Sequence, residues 1–94
     1  MRALRTSESD PIEVGWLRAD GITPAWRGRL GLTFAPGKKN AMGLTGAWDR
    51  DLAMDLARLR GHHGADVLVC LLEDHEMPRV GIADLPEAAV RAGL

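Results

Sequence analysis

The chain has 94 residues, 46% of them hydrophobic, with 12 Lys and Arg against 13 Asp and Glu and a formal net charge of -1. That length allows one small domain, the apolar content excludes a disordered tail, and the balanced charge excludes an electrostatic footprint for nucleic acid or an anionic membrane. The single cysteine excludes an intrachain disulfide and suits a reducing compartment.

Residues 1–11 are polar and aperiodic and read as a flexible lead-in to a domain over 12–94. The arginines there have no apolar stretch behind them, so no signal peptide is expected. The longest apolar run, residues 67–72, is too short to span a bilayer. A cytoplasmic protein follows as the expectation.

Residues 12–17 alternate, with Ile12, Val14 and Trp16 on one face and Glu13 and Gly15 on the other, the pattern of a half-buried strand. Asp20-Gly21 and Pro24 then mark a turn and loop. Residues 30–34 form a second short strand, antiparallel to the first. Pro36, Gly37, Gly43 and Gly46 make residues 35–47 a long loop, and loops of that length in small domains tend to be functional.

Asp49 is positioned as an N-cap for a helix over residues 50–62. Leu52, Leu56 and Leu59 make its buried stripe at i, i+4 and i+7. Asp49 and Asp51 at its start, with Arg58 and Arg60 at its end, suit the helix dipole, and Gly61 or Gly64 would terminate it. Residues 66–72 are a continuous apolar run with two valines, typical of a strand covered on both faces. A polar loop over 73–81 is broken by Pro78. Asp84 then caps a short helix over 85–92, with Pro86 tolerated in the first turn. The order strand, strand, helix, strand, helix leaves the apolar strand with a bare edge or face, a hazard in water unless something covers it.

Candidate chemistry is sparse. Cys70 lies inside the apolar run, where a free cysteine behaves as a small hydrophobe. The residue six positions on is Glu76, with Glu73 and Asp74 beside it, so an arginine clamp for phosphate is missing there. His62, His63 and His75 lack the paired spacing of a zinc site, and no metal or cofactor is expected. His62 and His63 read as a solvated helix end. Gly37-Lys38-Lys39 reads as a solvated loop or as a phosphate contact, without the surrounding pattern of a nucleotide P-loop. Asp49, Arg50 and Asp51 could be catalytic in principle but read as a charged cap, with Asp49 on backbone amides and Arg50 and Asp51 in surface or inter-element pairs. Glu73 and Asp74 stand at the C-terminal end of the buried run, where α/β sheets place ligands. Trp16 reads as core, Trp48 as a staple against Ala53, and Trp26, between Pro24 and Arg27, as an exposed partner contact.

Three stretches, residues 30–39 (LGLTFAPGKK), 48–52 (WDRDL) and 67–76 (VLVCLLEDHE), together resemble the opening half of a bacterial dual-specificity or protein-tyrosine phosphatase, of the type related to the cyclin-dependent-kinase-associated phosphatase. The resemblance spans about residues 12–94. It implies the three-layer α/β fold of cysteine phosphatases, N-terminal portion only, and phosphoester hydrolysis in complete relatives. Those relatives carry H-C-x-x-G-x-x-R, which does not occur in these residues. No catalytic residue therefore carries over, and the chain is expected to be inactive by itself. The resemblance places Lys38 and Lys39 at the border of a phosphate loop, and Glu73, Asp74 and Glu76 at the rim of an active site. It implies as partner a complementary C-terminal phosphatase segment or a second copy, with phosphoprotein substrates only in complete relatives. The alternative is a non-catalytic α/β binding or regulatory module acting as a dimer or with a partner chain.

Overall fold

A computed structural model describes residues 4–17, 28–43 and 46–94, leaving out the side chains of 41–43 and 46. The order is β1 (Leu4–Arg5), β2 (Gly15–Trp16), β3 (Gly31–Leu32), β4 (Lys39–Gly43), β5 (Gly46–Asp49), α1 (Leu52–Gly61), a 3-10 turn (Pro78–Val80) and α2 (Leu85–Arg91). The result is a small α/β arrangement with a mixed sheet and two helices. Among the described residues no helix is long and apolar enough to cross a membrane.

The main sheet has the order β1-β5-β4. β5 pairs antiparallel with β4, Lys39 opposite Asp49 and Gly43 opposite Gly46, with an irregularity after Asn40. β1 adds to the other edge of β5 in parallel, Leu4 opposite Ala47 and Arg5 opposite Trp48. This hairpin replaces the long loop expected over residues 35–47. Its glycines stand at the hairpin end, where Gly43 faces Gly46, rather than marking irregular chain throughout. The fold also begins earlier than a boundary at residue 12: β1 and the buried Ser7 both belong to it. The expected antiparallel pairing of the next two strands is present but short, Gly15 opposite Leu32 and Trp16 opposite Gly31.

α1 starts two residues later than expected. Asp49 is the last residue of β5, so the cap falls to Asp51, whose carboxylate accepts the Met54 N–H at 2.9 Å. The helix ends at Gly61 with His62 as its C-cap, and of the two candidate glycines only Gly64, three residues further on, is left-handed, at φ +70°. There the Ala65 N–H reaches back to the Leu59 carbonyl. Leu56 and Leu59 are buried as the stripe requires, and Leu52 packs against them from the margin. α2 follows Asp84, whose side chain makes no capping bond, and Pro86 sits in its first turn. Ile12, Leu56, Leu59, Ile82, Leu85, Ala88 and Ala89 form the core between the helices.

The apolar run at 66–72 departs most from expectation. It belongs to no strand and makes no ladder, and its backbone N–H and C=O groups find no hydrogen-bond partner among the described residues. Leu68 and Leu72 turn inward against the core. Val67, Val69 and Leu71 face out, 75%, 71% and 88% exposed, and Cys70 is exposed with them. High β propensity does not make a strand without a neighbour to pair with, and no described segment forms a ladder with this one.

Candidate functional site

The residues singled out for function fall into two groups. The first is built where the loop before β4 meets the start of α1. Gly37 has φ +71°, a conformation that side chains with a Cβ rarely adopt. It also lies so close to α1 that an added Cβ would come within 2.7 Å of the Leu52 Cβ. Its N–H donates to Asp55 Oδ2 at 2.8 Å. Asp55 sits on the inner face of α1, one turn from Leu52 and Leu59, and is buried. A carboxylate there needs a counter-charge and hydrogen bonds to offset desolvation. Arg50 supplies the charge, donating from Nε to Oδ2 at 2.9 Å and from Nη2 to Oδ1 at 3.1 Å.

Ser7 completes the network. Its hydroxyl donates to Asp55 Oδ1 at 2.7 Å and accepts the Asp51 N–H at 2.8 Å. The remaining guanidinium nitrogen of Arg50 donates to the Thr6 carbonyl at 3.3 Å. The guanidinium also lies against Phe34, 4.7 Å from the ring centroid. Among the described residues no buried side-chain N or O atom lacks a partner. Arg50 thus makes the inter-element pair that the reading of the triplet allowed, as a buried anchor to Asp55 of α1 and not as a surface pair.

Trp48 is buried beside this anchor and against Phe34 at 5.0 Å between centroids, in place of the expected staple with Ala53. Lys38 Nζ and the Arg5 guanidinium approach its ring at 5.0 and 4.9 Å. Neither Lys38 nor Arg5 has a carboxylate partner among the described residues. Lys39, by contrast, is neutralised: Nζ donates to Asp49 Oδ1 and to the Arg50 carbonyl, both at 2.9 Å. Its stem lies over Gly81, joining the hairpin to the segment before α2.

The second group, Glu73, Asp74 and Glu76, forms a self-contained turn. Glu76 Oε2 accepts the Glu73 N–H at 3.0 Å, and Glu73 Oε2 lies 3.3 Å from His75 Nδ1. No hydrogen bond or ion pair joins these acids to Lys38 or Lys39 among the described residues. The loop-border and rim residues are therefore not brought into one contact set. Among the described residues, no three His, Cys, Asp or Glu side chains gather as a metal set. His63 is not solvated: its side chain is buried, with Nε2 2.9 Å from the Ile12 carbonyl. Trp16 is half-buried, with Arg29 stacked at 4.0 Å on its ring. Trp26 lies outside the described residues.

Sequence reasoning missed Ser7, Arg5 and Asp55. For Asp55 there was a signal, since a carboxylate on a leucine-lined helix face has no reason to be there without a buried cation. Compared with protein-family models, curated proteins and solved structures, the chain matches none.

Proposed function

We propose that this chain is the N-terminal portion of a protein-tyrosine or dual-specificity phosphatase-like domain, of the three-layer cysteine-phosphatase class. In this reading it acts in phosphoester hydrolysis only when a phosphate loop is supplied from outside these 94 residues. The observation that carries it is the joining of two of the three resembling stretches into one buried unit. The P-G-K-K turn is held to the W-D-R-D stretch by Gly37, Arg50 and Asp55. Stretches that share a fold-determining contact of this kind are expected to travel together in a family. Lys38, with Arg5 beside the same ring and neither paired with a carboxylate among the described residues, suits the border of a phosphate pocket. Glu73, Asp74 and Glu76 form the rim of that pocket in this reading. A cytoplasmic location, where the free Cys70 stays reduced, belongs to the same proposal.

The test is complementation. The chain alone is expected not to hydrolyse para-nitrophenyl phosphate, and Cys70 to be irrelevant to any trace of turnover. Mixed with a C-terminal segment carrying H-C-x-x-G-x-x-R, it is expected to form a complex that turns over substrate through that segment's cysteine. Turnover by the chain alone that disappears in Cys70→Ser defeats the proposal, as does a stable but inactive complex.

One observation favours a second reading, a non-catalytic module that works as a dimer or with a partner chain. Val67, Val69 and Leu71 stand exposed in a row on a segment whose backbone groups have no hydrogen-bond partner among the described residues. Surfaces of that kind mark contact sites when they are contiguous.

A further inference from the structure

We infer that residues 67–71 pair antiparallel with the same residues of a second copy of this chain, about a two-fold axis at Val69. The inference rests on the second reading above and names the surface that reading needs. Two observations carry it. The backbone N–H and C=O groups of the segment are unbonded among the described residues, and an extended segment of that kind can take a second strand. The charges at the two ends of the segment also suit one direction of pairing and oppose the other.

At the N-terminal end, the Arg60 guanidinium donates to the Ala65 carbonyl at 3.0 Å and to the Asp66 carboxylate. Arg60 remains partly exposed, 45% by side chain, and Asp66 almost fully so. At the C-terminal end stand Glu73, 74% exposed by side chain, and Asp74. Antiparallel pairing centred on Val69 sets Val67 opposite Leu71 and Ala65 opposite Glu73. The Glu73 carboxylate of each copy then approaches the Arg60 guanidinium of the other, twice by symmetry. Parallel in-register pairing would instead set Asp66 against Asp66 and Glu73 against Glu73, and like charges directly opposed destabilise a strand pair.

The antiparallel arrangement also gathers Val67, Val69 and Leu71 of both copies into one apolar face, with the valines at 69 side by side. Leu68 and Leu72 stay on the core side, where they already pack.

The experiment is sedimentation velocity of the 94-residue chain, with circular dichroism to check folding. A single dimer species is expected. Val69→Lys is expected to raise the dissociation constant about tenfold or more, because it sets two ammonium groups on the axis. Glu73→Arg and Arg60→Glu are each expected to weaken the dimer, and the double exchange to restore it. In a Cys70→Ser background, Val69→Cys is expected to form a symmetric disulfide on mild oxidation and Val67→Cys not to, since only residue 69 faces itself.

A dimer unmoved by Val69→Lys overturns the surface but leaves the second reading standing. A folded monomer at all concentrations overturns the inference and the dimer form of the second reading, and leaves only its partner-chain form. Equal crosslinking at 67 and 69 overturns the antiparallel register.

Discussion

Arg50 and Asp55 meet in a two-point ion pair, at 2.9 and 3.1 Å, with neither side chain reaching solvent. They are five residues apart, on either side of the cap of α1, so the pair folds the entry to the helix back on itself. Asp55 also receives Gly37 and Ser7, and through it three separated parts of the chain are fixed to one carboxylate. Breaking such a pair leaves a buried charge without its counter-ion. Asp55→Ala is expected to lower unfolding free energy by about 3–5 kcal/mol, enough to unfold much of a small domain. Arg50→Met with Asp55→Leu is expected to cost less than the sum of the single changes. It still leaves the Gly37 N–H unsatisfied, at roughly 1–3 kcal/mol, whereas the Ser7 hydroxyl keeps the Asp51 N–H and has the Asp51 carbonyl at 3.3 Å. Urea midpoints of the singles and the double decide this. An Asp55→Ala chain as stable as its parent would remove the network from any structural role.

Gly37 gives a sharper test of the same region because two independent restrictions act on it. Its φ of +71° strains any residue with a Cβ, and that Cβ would meet Leu52 at 2.7 Å. Gly37→Ala is therefore expected to destabilise by about 1–3 kcal/mol. Leu52→Ala in the same chain is expected to relieve little of it, since the nearest approach is to the Leu52 Cβ and Cα, which alanine keeps. Full rescue by Leu52→Ala would show that the conformation carries no strain.

The two helices have aspartates at equivalent positions that do different work. Asp51 accepts the Met54 N–H, while the Asp84 side chain caps nothing. Asp51→Ala is expected to cost about 1 kcal/mol. Asp84→Ala is expected to stay within about 0.5 kcal/mol of the parent, as an exposed change away from any such contact does. Equal losses in thermal unfolding would contradict the difference in geometry.

Much of α1 was legible because Leu52, Leu56 and Leu59 repeat at the helical period, a signal that needs only local sequence. The β2–β3 pairing was legible for the same reason, from the alternation around Trp16. The site was not. Ser7 and Asp55 are 48 residues apart, and nothing near Ser7 announces that its hydroxyl serves a carboxylate so far along the chain. The hairpin of β4 and β5 was hidden by its own glycines, which read locally as irregular loop. Residues 66–72 failed for the opposite reason. Their composition reports a preference for extended backbone, but a strand exists only when a neighbour supplies the other half of its hydrogen bonds. A preference for pairing is written in Val67, Val69 and Leu71; the identity of the partner is not.

His62 and His63 are adjacent in sequence and opposite in circumstance. The His63 side chain is buried and its Nε2 lies 2.9 Å from the Ile12 carbonyl, which also accepts from Arg58 Nε at 2.8 Å. A carbonyl oxygen only accepts, so His63 Nε2 must carry the proton in either charge state. His62 is exposed and meets His63 edge-on at 4.8 Å. His63→Ala removes a donor from the contact that ties residue 12 to α1, and is expected to cost about 1 kcal/mol or more. His62→Ala is expected to change stability by less than about 0.5 kcal/mol. Imidazole nitrogen chemical shifts should show the Nε2–H form of neutral His63. A neutral His63 protonated at Nδ1, or a larger loss from His62→Ala than from His63→Ala, would mean that α1 is not fastened to Ile12 in this way.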